Sequence, residues 1–439
     1  MRQLAGFMVS ALVALRIVHG LPAGGFPDPA PDAQFRLRGT HQRGDFGPLK
    51  FRPDGTFHIS IFEDLHFGEN AWEDWGPRQD HQSVAVMETV LDAEPQTDLV
   101  VLNGDLITGE NTFLENSTAY VDQLVQPLVR RNLTWASAYG NHDNDLNISA
   151  AHILARERRW PNSRTTQMLP DPDLGISNYY LPVYPATCPS PPSPCHPQLL
   201  LWFFDSRGGF HFQQHDPSTN QPLPLPNWVD ARVAEWFSTT HSLLAFPDND
   251  SNSTPIPIPS LAFVHIPTTA SRALQTLGID PHRQPGIDDD KDLSHQAQGW
   301  CPDGTPDGTR CDYGGQDMPF MRAVAGAKGL LALFSGHDHG ETWCHTWNGS
   351  LRGVEDVEGS RTHLCFGQHS GYGGYGSWVR GARQVGVSLE GLGKGEVDTW
   401  VRLENGRVVG RVRLNGTYGR DVYPATPDER TRLPPRGDS

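Results

Sequence analysis

The chain has 439 residues, 37% of them hydrophobic, and a formal net charge of −16. That length suffices for one large domain or two ordinary ones with an ample core. The acidic balance excludes a nucleic-acid backbone as a standing partner, because binding it needs a basic face in bulk; an acidic protein holds phosphate locally instead, most naturally through a metal.

Met1-Arg2-Gln3 and the mostly apolar run 4–18, followed by small residues up to Ala23-Gly24, read as a secretory signal peptide over 1–23. A membrane anchor is the alternative reading, for which the run is short. No second apolar stretch approaches spanning length. Residues 24–50 read as an N-terminal extension, 51–423 as a single domain, and 424–439 as a loose polar tail. The tail carries Arg436-Gly437-Asp438, a tripeptide with little weight as an adhesion signal.

The domain opens with a strand, 57–62. A helix over 79–93 has Val84, Met87, Val90 and Leu91 at helical spacing and ends before Pro95. The run 98–102 is nearly all apolar, as in a strand covered on both faces. A second amphipathic helix with Tyr120, Val121, Leu124, Val125 and Leu128 leads into a strand over 133–138. This βαβαβ alternation predicts a largely parallel sheet with helices packed on it, and ligands beyond the carboxyl ends of its strands.

Further along, a helix near 150–159 stops at Pro161, and Cys188-Pro-Ser-Pro-Pro-Ser-Pro-Cys195 is a rigid surface loop. Buried strands follow at 199–204, 261–265 and 330–334, with helices near 228–237 and 318–327. The Pro-rich stretch 247–259 reads as an exposed insertion and 275–313 as loop. Shorter strands at 385–389, 399–403 and 407–414 suit antiparallel pairing. The chain has no internal repeat.

Five of these strands hand metal-competent residues to the loop behind them. They are Asp64 and His66, then Gly104-Asp105, then Asn141-His142-Asp143, then His265, then His337 and His339. Asn141 offers an amide oxygen to a divalent metal, and His142 is a proton donor whose ring Asp143 could orient. Any one pair is also what an ordinary turn contains. Hydrophobic runs explain the strands but not why Asp, Asn and His repeatedly stand first after them.

In this order, Asp64-x-His66, Gly104-Asp105, Gly140-Asn141-His142-Asp143, His265 and Gly336-His337-x-His339 resemble the signature of the calcineurin-like metallophosphoesterase superfamily. The surrounding residues 62–70 and 367–376 resemble its secreted, purple-acid-phosphatase-like branch. The resemblance implies a four-layer α/β (α+β) fold, two mixed β-sheets sandwiched between helices, with two divalent metal ions at the strand ends. Asp64, His66 and His339 would hold one ion and Asn141, His265 and His337 the other. Asp105 would bridge them, and His142 would stand over the leaving oxygen. The tyrosine that colours true purple acid phosphatases is replaced by Thr108, so the centre is expected not to be purple. Zinc, manganese and iron all suit such a ligand set.

The activity implied is hydrolysis of phosphate monoesters, small molecules or phosphopeptides, by a metal-activated bridging hydroxide with His142 as general acid. A phosphodiesterase acting on nucleotides or glycerophosphodiesters is the alternative, and an inactive binding glycoprotein on the same fold a third. Arg207, Arg380 and Tyr372 are candidates to contact substrate, and 371–376 with Tyr372, Tyr375 and Trp378 a candidate site-lining loop. The cysteines fall into local pairs, Cys188 with Cys195, Cys301 with Cys311 and Cys344 with Cys365, which suits loop-stapling disulfides in an oxidising compartment. A four-thiol zinc site would need Cys-x-x-Cys spacing, and there is none. N-glycosylation triplets at Asn116, Asn132, Asn147, Asn249, Asn252, Asn348 and Asn415 agree with a secreted protein, extracellular, wall-bound or vacuolar.

Overall fold

A run such as Leu199-Leu200-Leu201-Trp202-Phe203-Phe204 has no polar face, so it is stable as a strand only when both of its faces are covered. In the computed structural model all six of these residues are buried. The structure describes residues 47–189, 195–245, 257–306, 311–349 and 361–433. The expected signal peptide, Asn249, Asn252 and the Arg436-Gly437-Asp438 triplet lie outside them.

In chain order the elements are β1 (Leu49–Lys50), β2 (Thr56–Phe62), α1 (Trp75–Ala93), β3 (Leu99–Asn103), α2 (Ala119–Arg130), β4 (Trp135–Ala138), α3 (Ala150–Glu157), β5 (Tyr179–Tyr184) and β6 (Leu199–Phe204). There follow β7 (Phe210–His215), β8 (Pro222–Pro224), α4 (Ala231–Ala245), β9 (Ser260–Val264), α5 (Thr269–Leu277), α6 (Met318–Gly326) and β10 (Leu330–Ser335). The chain then adds β11 (Cys344–Trp347), β12 (Thr362–Phe366), β13 (Gly381–Ser388), α7 (Leu389–Leu392), β14 (Val397–Leu403) and β15 (Val408–Leu414).

The strands form two large mixed sheets, ordered β1-β5-β6-β9-β10-β12-β11 and β15-β14-β13-β2-β3-β4, plus a small β7-β8 pair. Strand side chains alternate between faces, and that alternation builds the layers. Ile59, Ile61, Leu99 and Val101 of one sheet meet Leu201, Phe203, Leu261, Phe263 and Phe334 of the other in a shared core. Phe62, Val100 and Leu102 turn outward under Val86, Val90, Leu124 and Ile153 of α1–α3. Trp202, Phe204 and Val264 turn outward under Val233, Phe237, Leu274 and Phe320 of α4–α6. The result is the four-layer α/β sandwich expected. No described helix is long and apolar enough to cross a membrane.

Several elements go beyond the sequence reading. β5 contains Pro182, which argues against a central strand, yet the short β1 pairs only at Val183 and Tyr184. Pro182 therefore stands where that side of β5 is an edge and no ladder donor is needed. α5 begins before the stretch read as loop and runs into it, and hydrophobic periodicity does not single out β11 or β12. Residues 424–433 are not loose: Val379 N–H donates to Glu429 O at 3.0 Å and Thr431 N–H to Ser377 O at 2.7 Å. All three expected disulfides are present, with Cα–Cα distances of 5.9, 5.0 and 4.0 Å. Cys344 and Cys365 are direct cross-strand partners in β11 and β12. Asn116, Asn132 and Asn348 are exposed, whereas Asn147 and Asn415 are half-buried.

Candidate metal centre

β2, β3 and β4 run parallel, as do β6, β9, β10 and β12 in the facing sheet, so their carboxyl ends gather at one side. The chain leaves these strands abruptly. Asp64, His66, Asp105 and His337 have φ of 51°, 48°, 46° and 77°, the left-handed region, which costs a non-glycine residue about 1–2 kcal/mol each. Hydrogen bonds between loops hold them there: Asp64 N–H donates to Gly104 O, Leu65 and His66 N–H to Asp105 O, and Gly336 N–H to His265 O. At Gly104 (φ +91°) a Cβ would stand 2.3–2.6 Å from the His265 ring, so only glycine lets β3 end this close to the facing sheet.

Among the described residues three groups have donor atoms within 4.8 Å of one another: Asp64, His66 and His339; Asp105, His265 and His337; and, beside them, Glu110, His142 and Asp145. His66 Nε2 faces His339 Nε2 at 3.2 Å. Asp64 Oδ1 lies 3.6 Å from His339 Nε2 and 3.8 Å from His265 Nε2. Asp105 Oδ2 is 2.9 Å from His265 Nε2 and 3.9 Å from His66 Nε2, so one carboxylate looks into the first two groups. The residues on either side of Asn141 touch the second group: a Cβ on Gly140 would abut Asp105 and His265, and His142 N–H donates to Asp105 Oδ1 at 2.8 Å.

The rings are held from behind. His66 Nδ1 meets Thr108 Oγ1 at 3.0 Å, His265 Nδ1 meets Asn103 O at 2.9 Å, and His339 Nδ1 meets Tyr375 O at 2.8 Å. Anchoring Nδ1 aims Nε2 inward. Thr108, standing where a purple enzyme has tyrosine, thus supports a ring. Burial pulls His66 and His337 down to about 3 and His339 well below the usual imidazole value. At His265 burial also pulls down, but the Asp105 and Asp64 carboxylates prevail and raise it to about 10. Asp105 is pushed up by burial, yet His265 and His142 hold it well below the carboxylate range. Burial thus keeps His66, His337 and His339 neutral, with lone pairs free, while Asp105 and Asp64 draw positive charge onto His265, a field that suits a divalent cation. The donor set fits on a second count: Asn141 Oδ1 is buried with no hydrogen-bond partner. Such an orphan costs about 1–3 kcal/mol unless something such as a cation engages it. Mixed nitrogen and oxygen donors accommodate zinc, manganese or iron.

His142 stands at the rim, its side chain 32% exposed and its ring 5.1 Å from that of His66. Its Nδ1 lies 3.1 Å from Glu110 Oε1 and 3.5 Å from Asp145 Oδ2. Burial lowers its pKa, but Asp105, Asp145 and Glu110 together hold it well above the usual value. Asp143, expected to orient this ring, instead accepts the backbone N–H groups of Leu106, Ile107 and Gly140 at 2.9–3.0 Å, bracing the turns that carry Asp105 and Asn141. Glu110 and Asp145 were not singled out by sequence reasoning. The available signal was an acid in the loop of Asp105 and another one helical turn after His142.

The expected substrate contacts are occupied elsewhere. Arg207 donates to Trp228 O and Asp173 O. Arg380 is fully buried and donates to Trp378 O and Gly376 O. Tyr372 Oη donates to Glu404 at 2.8 Å. The 371–376 loop does line the centre, through Gly374 and Tyr375, since a Cβ on Gly374 would meet both His339 and His66.

Residues 58–251 match the model of the calcineurin-like phosphoesterase family. The chain is 24% identical over 394 residues to an Arabidopsis thaliana protein named "Probable inactive purple acid phosphatase 14", covering 82% of this chain and 84% of that one. It is 24% identical over 376 residues to "Phosphatase DCR2" of Saccharomyces cerevisiae, covering 81% of this chain and 55% of that one. A dimetal phosphatase from Danio rerio superposes with a TM-score of 0.48 at 12% identity, covering 82% of this chain and 98% of that one.

Proposed function

We propose, for a chain that carries a calcineurin-like phosphoesterase domain, that the enzyme is a metal-dependent hydrolase of phosphate monoesters. The observation that carries this reading is the convergence of Asp64, His66, Asp105, His265, His337 and His339 from four separate strand ends, with the unpartnered amide oxygen of Asn141 on a fifth. Phosphate esters resist hydrolysis because their anionic oxygens repel a nucleophile and an alkoxide leaves poorly. When bound, a pair of divalent cations supplies charge neutralisation for the phosphoryl oxygens and water of lowered pKa. In this reading Asp64, His66 and His339 hold one cation, Asn141, His265 and His337 the other, and Asp105 faces both. His142, with Nδ1 committed to Glu110, keeps Nε2 to hand a proton to the departing oxygen, a role worth about 10²–10⁴ in rate. Glu110 and Asp145 fix that ring, and Asp143 keeps the turn beneath it in shape. A complete ligand set and an intact acid argue for activity here, whatever the naming of the plant relative.

Diesters are the second reading, and one observation favours them. Arg207 and Arg380 are both engaged by main-chain carbonyls, so neither grips a doubly charged phosphoryl group. We place the protein outside the cytosol, in keeping with its disulfides. The test is turnover of nitrophenyl phosphate against bis-nitrophenyl phosphate with Mn²⁺, Zn²⁺ and Fe²⁺ supplied in turn. Faster monoester turnover is expected; preference for the diester selects the second reading, and silence on both overturns hydrolysis altogether.

A further inference from the structure

His339 is a buried imidazole of the centre, and one residue contacts it through ring, hydroxyl and main chain alike. The Tyr375 ring lies flat on the His339 ring, centroids 4.0 Å apart and planes 12° apart. Tyr375 O receives the His339 Nδ1–H at 2.8 Å, and Tyr375 Oη receives the His339 backbone N–H at 3.1 Å. The same hydroxyl donates to Asp290, whose own N–H donates to Glu341 Oε1 at 2.8 Å. Both ends of the contact are thus tied to the turn that carries His339. His369 adds a second ring 3.8 Å away. Tyr375 itself is 49% exposed, unusual for a side chain with so many commitments.

We infer that Tyr375 is a positioning residue for the cation held by Asp64, His66 and His339: by stacking on His339 and fixing its tautomer and rotation, it sets the affinity of that cation and not of the other. The inference rests on the two-cation reading above. His265, in the second group, is held by the Asn103 carbonyl instead. Partners that orient a ligand histidine from outside the coordination shell typically change metal affinity 10–100-fold.

The test is calorimetric titration of metal-stripped full-length protein with Mn²⁺ or Zn²⁺, for the wild type, Tyr375→Phe and Tyr375→Ala. Wild type is expected to take two equivalents. Tyr375→Ala, which keeps the main-chain acceptor but loses ring and hydroxyl, should weaken one equivalent by about 10–100-fold and leave the other unchanged. Tyr375→Phe, which keeps the ring, should fall between. Far-UV circular dichroism and the melting temperature of the stripped proteins verify folding. Two unchanged equivalents in Tyr375→Ala, or equal weakening of both, overturn the role of Tyr375 while leaving the two-cation reading intact. A wild type that takes up neither ion overturns that reading, and this inference with it.

Discussion

Replacing Gly374 by alanine puts a methyl carbon 2.5 Å from His339 Cε1, 2.8 Å from His66 Cδ2 and 3.0 Å from His66 Nε2. Carbon atoms rest comfortably at about 3.5–4.0 Å, so these rings must retreat by about 1 Å. The left-handed backbone (φ +73°) adds about 1–2 kcal/mol. Metal–ligand distances tolerate only about 0.2 Å, so the group of Asp64, His66 and His339 is expected to lose its cation while the group around Asp105 and His265 keeps one. Gly406→Ala is the control, because it shares the positive φ (+83°) with nothing within 4 Å of the added carbon. Metal content by plasma emission after dialysis should drop by about half in Gly374→Ala and stay at the wild-type level in Gly406→Ala, with hydrolysis lost only in the former. Wild-type metal content in Gly374→Ala would refute the placement of a cation between His66 and His339.

His142→Ala should keep its metals but lose turnover of alkyl phosphates by about 10²-fold or more, with a much smaller loss on nitrophenyl esters, which need little help from an acid; equal losses on both contradict the proton-donor role. Glu110→Gln should slow alkyl ester turnover about tenfold with an unchanged melting temperature. Asp143→Asn, by weakening the acceptor of three main-chain donors, should instead cost about 1–3 kcal/mol in urea denaturation. The reverse assignment of effects would restore Asp143 as the partner of His142. His58 is buried beside Trp400 and held down to about 4, chiefly by burial, with Glu94 opposing. Above pH 6.5 it is neutral whether folded or unfolded and contributes no pH dependence. As pH falls from 6.5 towards 4 the unfolded chain takes a proton that the fold refuses, which costs up to roughly 3 kcal/mol. His58→Gln should therefore lose less stability than wild type between pH 7 and 4.5 in urea titrations, and an identical loss would show that His58 does not contribute.

β3, β9 and β10 were legible as nearly continuous apolar runs covered on both faces, and the residues behind the strands because the chemistry needs Asp, Asn and His at strand ends. Glu110 was not legible in the same way. Its importance comes from a short 3-10 turn, Gly109–Asn111, that brings its carboxylate to His142, and a linear sequence does not display that return. Arg207 and Arg380 show the opposite failure. A guanidinium that grips phosphate and one that satisfies stray carbonyls read alike, and only the turns offering Trp228 O and Trp378 O decide between them. β5 was hidden by Pro182, whose missing donor matters only if a full-length neighbour lies alongside.

β2, the strand that delivers Asp64 and His66, is zipped along its length to β13, with Arg383 opposite Ile61 and Ser388 opposite Thr56. Ser60 Oγ reaches across 324 positions of sequence to donate to Gln384. Biosynthesis therefore cannot mature the catalytic apparatus piecemeal. Until the ribosome has released residue 388, β2 has one flank bare, and a prematurely terminated polypeptide is a candidate for clumping and degradation rather than a weakened hydrolase.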